Sequence, residues 1–358
     1  MTKRRRIIIL LACGLLAIAL SALLFSPKEP SYGGRSFSHW LDLRSSLIFA
    51  HQEKEFDDAI RHMGAKVVPY AVRWMVYEPS PAKVFLQRAF KDLPEGLKQI
   101  LGLDSTWENR SLPTWKVFQI LGPEAKAAIP DLVRIMTISH SGLRQQYAAY
   151  DLAYIGQEGL PHLLAAMTNE EPKVRGVAAG AMAVLGTNAA PVLPFLIRSL
   201  KDPAQEPAAA AAWALGRLKL QPTLVVPALT NCLNHTNALV RYLSIVALAE
   251  FGKDALPGLL RCLDDEDEHV IALAAKALGK NNLDPDRVVP LLINRLKAPS
   301  PMVRNGAAAG LMEFGTNARA AVPTLVERLN EPEPEVAEMV ANALLKIAPE
   351  ALTNAAAR

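Results

Sequence analysis

The chain has 358 residues, 51% of them hydrophobic and only 6% aromatic, with 26 prolines and three cysteines. Its formal charge of +4 invites a nucleic-acid reading, but Lys3, Arg4, Arg5 and Arg6 supply the whole excess. The balanced body lacks the basic footprint that phosphate binding needs, so no nucleic-acid partner is expected.

Those four charges form a cytoplasmic segment, residues 1–6, ahead of an uninterrupted apolar stretch from Ile7 to Phe25. A helix of that length rises about 28 Å, close to the ~30 Å hydrocarbon core of a bilayer. The positive-inside rule then places everything after Phe25 outside the cytoplasm. The stretch reads as an uncleaved anchor; a cleaved signal peptide ending near Ala17-Ile18-Ala19 is the alternative and would give a secreted protein. Residues 26–34 follow as a linker rich in Pro, Gly and Ser.

Residues 35–121 read as an atypical, expanded first part. A helix is expected from near Ser36, carrying Phe37, Trp40 and Leu41, and a second over Phe56–Met63 that stops at Gly64. Two further helical patterns follow around Val84–Leu101 and Leu112–Leu121. Thirteen of the 22 aromatic residues fall between Tyr32 and Phe118, Trp40, Trp74, Trp107 and Trp115 among them. Terminal repeats of an array must be atypical, so the structural reading is a bulky cap; the functional reading is an aromatic ligand pocket that would include His39 or His62.

Between 122 and 349 the chain repeats itself. A proline followed two residues later by leucine recurs at Pro130, Pro161, Pro194, Pro227, Pro257, Pro290 and Pro323, with a weaker copy at Pro69. Spacings of 30–33 residues specify a stacked-repeat architecture. Gly122, Gly156, Gly186, Gly216, Gly252, Gly279 and Gly315 are each expected to end an Ala/Leu-rich second helix in the left-handed region. The last helix, 334–348, mixes in Glu335, Glu338, Asn342 and Lys346, as a solvent-facing end should, and 350–358 reads as a tail. Cys232 and Cys262 fall at equivalent places in adjacent repeats. Helices stacked about 8–10 Å apart hold such thiols beyond the ~7 Å Cα separation of a disulfide, so both are expected to be free.

Paired helices with proline in the first and Val-Arg opening the second resemble HEAT repeats, and the Ala- and Gly-rich form is similar to the bacterial subset named for phycobilisome lyases. Val174-Arg175, Val240-Arg241 and Val303-Arg304 carry the pair and Leu143-Arg144 comes close, while Gln205, Glu268 and Ala337 fill the place without it. The resemblance implies an all-α fold, a right-handed α-α superhelix of about eight helix pairs, and a platform that binds a protein or peptide partner. Enzymatic activity of the lyase type and a purely structural envelope role are the alternatives.

Nothing in the sequence marks catalysis, a cofactor or a metal. None of the seven histidines has HxxxH spacing or a CxxC partner. The run Asp264-Asp265-Glu266-Asp267-Glu268 lacks the glycine and bidentate glutamate of a calcium loop and reads as a solvated loop. The remaining binding candidates are Trp40, Trp74, Trp107 and Trp115, and the arginine column Arg144, Arg175, Arg241 and Arg304. The column either touches a partner's acidic groups or bonds to acids of neighbouring loops.

Overall fold

The computed structural model describes residues 29–45, 53–78, 81–90, 93 and 114–356. The apolar stretch 7–25 and Trp107 lie outside them. The chain divides after Leu160 into two compact units.

The described part of unit 1 opens with a two-stranded hairpin, β1 (Ser31–Tyr32) and β2 (Arg35–Ser36), whose first strand and turn fall in the stretch that reads as a linker. Gly33 and Gly34 both have positive φ, as a two-residue turn between twisted strands requires. Helix α1 (Phe37–Ser45) buries Phe37, Trp40 and Leu41, and α2 (Glu53–Met63) buries Phe56, Ala59, Ile60 and Met63 at the spacing of one helical face. After Gly64 and a 3-10 turn come α3 (Val68–Val76) and α4 (Pro81–Ala89). Helix α5 (Thr114–Leu121) packs on α2 and α3, and α6 (Ile129–Ile138) and α7 (Gly142–Ile155) form a pair stacked on it.

Unit 2 contains six such pairs. The first helices are α8 (Leu160–Ala166), α10 (Leu193–Ser199), α12 (Pro222–Asn231), α14 (Leu256–Cys262), α16 (Pro285–Arg295) and α18 (Val322–Glu327). The second helices are α9 (Pro172–Ala181), α11 (Gln205–Leu218), α13 (Ala238–Ala249), α15 (Glu268–Lys280), α17 (Pro301–Phe314) and α19 (Pro334–Ile347). These second helices stack in order, each on the next, and form the spine of the unit. The fold is an all-α solenoid. Its last helix, α20 (Pro349–Ala356), packs on α18 and α19, where the sequence reads as a tail. Glu335, Glu338, Asn342 and Lys346 of α19 are exposed, as expected of an end. Among the described residues one helical run, Pro172–Ser199, is long and apolar enough to cross a membrane, but it breaks at Gly186 and both halves pack on α11.

The repeated leucines are the core. Leu132, Leu163, Leu196, Leu229, Leu259, Leu292 and Leu325 are all fully buried. The repeat proline, Pro69 included, is the second residue of its helix in α3, α6, α8, α10, α14 and α18, where its missing N–H is no loss. In α12 and α16 it is the sixth residue, because those helices start four residues sooner, at Pro222 and Pro285.

The same two repeats correct the expectation for the glycines. Gly315 does end α17, and Gly186 breaks the 3-10 run that continues α9, both with positive φ, but ψ near −134° puts them in the mirror-image β region, which only glycine occupies readily. Gly216 and Gly279 lie inside α11 and α15. There the positive-φ stop falls three residues later, on Lys219 and Asn282. Gly216 and Gly279 serve packing instead: a Cβ on Gly216 would sit 2.6 Å from Ala247 Cα, and one on Gly279 would overlap the backbone of Gly310.

Close approach is tightest between α15 and α17, where Gly306 faces Ala272 and Gly310 faces the Ala275 carbonyl. Gly310→Ala is expected to destabilise unit 2 by about 1–3 kcal/mol, because the clash is with backbone and the helices must part. An exposed helical glycine would instead gain about 1 kcal/mol from the same change, so the sign of the shift in a urea titration decides the matter.

Candidate functional site

The candidate residues fall into two places. In unit 1, Trp40 is almost fully buried; its Nε1 donates to the Tyr32 carbonyl at 3.2 Å and the Arg35 guanidinium lies 5.1 Å from its ring centre. Trp74 Nε1 donates to Ser38 Oγ at 3.1 Å, and that hydroxyl donates to Glu29 at 2.6 Å. Tyr32 rests on His62 with ring centres 4.7 Å apart. Trp115 is half-buried on α5, with Lys116 Nζ 6.0 Å from its ring centre. Trp40 thus ties α1 to the hairpin, and Trp74 ties α3 to α1. Trp107 lies outside the described residues.

The arginines sit where each second helix begins. The residues capping α9, α11, α13, α15, α17 and α19 are Glu171, Ala204, Asn237, Asp267, Ser300 and Glu333. Four residues after the cap come Arg175, Ala208, Arg241, Ile271, Arg304 and Ala337. Two residues before it come Asn169, Asp202, His235, Asp265, Ala298 and Glu331. Arginine therefore occupies the first position in repeats 1, 3 and 5 of the unit, and a carboxylate the second in repeats 2, 4 and 6.

Each arginine joins its own loop to the next. Arg175 donates from Nη1 to the carbonyls of Asn169 and Glu170 in its own loop, and from Nε and Nη2 to both oxygens of Asp202 in the next, at 2.7 and 2.8 Å. Arg304 donates to the carbonyls of Ala298 and Pro299, to Glu331 at 2.7 and 3.1 Å, and to Glu333 at 2.9 Å. Arg241 holds the carbonyls of His235 and Thr236 and donates from Nη2 to Asp267 at 3.1 Å. The intervening junctions use neutral or mixed bonds: Asn237 donates to Gln205 at 2.6 Å and Ser300 Oγ to Glu268 at 2.6 Å.

Electrostatics follow the geometry. The hydrogen bond from Arg175 holds the Asp202 carboxyl below its ordinary range. Burial pushes Glu331 up, but Arg304 and Arg328 outweigh it and leave the group below its usual value. The side chains of Arg175, Arg241 and Arg304 are only 15, 16 and 8% exposed. They are inter-repeat clamps, the second of the two readings of the column.

Arg144 is a different case. The residue four after the Ser141 cap of α7 is Gln145, so Arg144 lies one residue out of the column. It donates to Glu78 at 2.6 Å and to the Tyr77 carbonyl at 3.3 Å. The places without arginine in unit 2 are Ala208, Ile271 and Ala337; the first two lie three residues beyond Gln205 and Glu268, and Ala337 is where the sequence put it.

The thiols of Cys232 and Cys262 are free and buried, as the spacing implied. Burial and the nearby Asp265 push Cys262 up to about 12. Among the described residues no group of three or more His, Cys, Asp and Glu side chains could hold a metal ion.

The helix-pair solenoid defines the class. Residues 192–279 and 256–346 match the family model for HEAT repeats. Similar solved structures include an engineered protein (21% identity, covering 89% of this chain and 92% of that one, TM-score 0.40). A designed armadillo repeat protein is also similar (19% identity, 52% and 99%, TM-score 0.37), as is human deoxyhypusine hydroxylase in complex with glycerol (21% identity, 80% and 97%, TM-score 0.30). No curated protein matches the sequence.

Proposed function

We propose that this chain is a scaffold, anchored in the membrane by residues 7–25, that holds a protein or peptide partner outside the cytoplasm on the second-helix face of unit 2. The observation that carries this reading is a set of apolar side chains left in solvent on those helices. Leu239 and Met302 occupy the same place, two residues after the caps of α13 and α17, and are 46 and 39% exposed; Tyr242, one turn further along α13, is 43% exposed. Single exposed apolar residues need no explanation, but a recurrence at one repeat position supports a contact surface. Aromatic anchors such as Tyr242 commonly dominate binding energy at such surfaces.

A photo-crosslinking residue at Tyr242 of the full chain, in cells, is expected to capture a discrete adduct, and Tyr242→Glu to abolish partner capture while leaving the denaturation midpoint within about 0.5 kcal/mol of the parent. An adduct pattern no different from that at exposed Lys253 would sink the reading. The topology is checked separately, by an alkaline phosphatase fused after Arg358, which is expected to be active because it folds only outside the cytoplasm.

A further inference from the structure

The three clamps of unit 2 are not equally made. In two of them the arginine Nε engages the acid that lies two residues before the next cap, Asp202 or Glu331. In the third, Arg241 Nε stands 3.8 Å from Asp265 and is a buried donor with no hydrogen-bond acceptor. Its Nη2 is bonded to Asp267, the cap residue itself. At this junction, between the third and fourth repeats, a cleft of about 480 Å³ opens, lined by Leu233, Arg241, Cys262, Asp265 and Glu266 among others.

We propose that this junction is a latch with two seatings. In the seating present here Arg241 is held by Asp267 and the cleft is open. In the other, Arg241 Nε and Nη2 close on Asp265 as Arg175 closes on Asp202, and the loops of the two repeats draw together over Cys262. Both seatings keep the arginine bonded to the carbonyls of His235 and Thr236, so only the acid partner is exchanged. The remaining groups around it do not compete: Asp264 is taken by Arg295, Arg261 bonds to Asn234, Glu266 is exposed at the rim, and His269 Nδ1 lies 3.2 Å from Asp267 Oδ1, not the oxygen Arg241 uses. The exchange needs less than 1 Å of closure at Nε to reach hydrogen-bond distance. The other two arginine clamps are fully engaged, so the third-to-fourth junction is where unit 2 changes the spacing of its repeats. This holds whether or not the chain is a partner-binding scaffold.

The native thiols read the latch. Cys262 lines the cleft, whereas Cys232 belongs to the neighbouring side of the third repeat, near Ser244 and Lys201. Maleimide labelling of the folded full chain is followed at each cysteine by peptide mass. Asp267→Asn keeps a good helix cap but removes the charge of the open seating, so Arg241 transfers to Asp265. Cys262 is then expected to label several-fold more slowly than in the parent, with Cys232 unchanged. Asp265→Asn keeps the acceptor for the Asp267 N–H but removes the closed seating, and Cys262 is expected to label as fast as in the parent or faster. Loss of a merely stabilising carboxylate would speed labelling in both variants. Equal or faster labelling of Cys262 in Asp267→Asn therefore overturns the proposal.

Discussion

Arg304→Ala is expected to destabilise unit 2 by about 3–5 kcal/mol, read as a lower urea midpoint and as faster hydrogen exchange in α17 and α19. The size comes from what the arginine leaves behind. Glu331 is only 2% exposed, and without Arg304 it keeps Arg328 alone. The carbonyls of Ala298 and Pro299 lose their donor at the same time. Removing one partner of a buried pair costs far more than the pair contributes over an apolar replacement, so Arg304→Met combined with Glu331→Leu is expected to recover most of the loss. Arg144→Ala supplies the contrast: its partner Glu78 is 73% exposed, and the change is expected to cost less than about 1 kcal/mol. Similar losses for Arg144→Ala and Arg304→Ala would show that the clamp geometry does not decide the outcome.

Asp151→Ala is expected to stabilise unit 1 by about 1–3 kcal/mol at neutral pH, an unusual sign for a change at a fully buried residue. Asp151 lies in α7 with no exposed surface, and neither carboxyl oxygen has a hydrogen-bond partner. Burial raises its pKa well above the ordinary aspartate value, and Tyr150 and Tyr154 on the same helix offer no compensating positive charge. The folded carboxyl keeps its proton where an unfolded aspartate, with a pKa near ~3.9, has lost it. The native state then binds more protons than the unfolded state, and stability falls as pH rises, by about 1.4 kcal/mol per unit until the folded pKa is passed. Urea midpoints measured across pH should therefore diverge between parent and variant as pH increases from 4. Parallel curves would mean that Asp151 finds a partner or solvent in solution.

Much of this architecture was legible in the sequence. The proline–leucine spacing fixed the repeat, and all seven leucines are buried. The register was harder to read, for a physical reason. In an Ala-rich spine, glycine does two jobs: it stops helices, and it lets them touch. Gly216 and Gly279 do the second, while Lys219 and Asn282 adopt the left-handed stop that glycine alone was expected to supply. Counting from the wrong glycine moves the arginine position by three residues in those repeats, whereas the count from Gly156 reaches Gln145 and only the likeness of Leu143-Arg144 to Val-Arg admits Arg144. Once the caps set the register, the alternation of arginine and acid emerges; before that it looks like a column with gaps. Asp151 gave no warning at all, since one acid in a helix of mixed composition does not disclose that nothing will face it.

The alternation gives the array a parity. A carboxylate loop always follows an arginine helix within unit 2, and a neutral loop always follows an alanine or isoleucine helix. Excising one repeat, such as the fourth, would bring Arg241 against the Ala298 loop and strand a guanidinium without its acid. Excising two consecutive repeats restores the match at the new seam. Length in this chain is therefore quantised in doublets of about 66 residues, and shortened or lengthened forms that respect the doublet are the ones whose seams remain electrically complete.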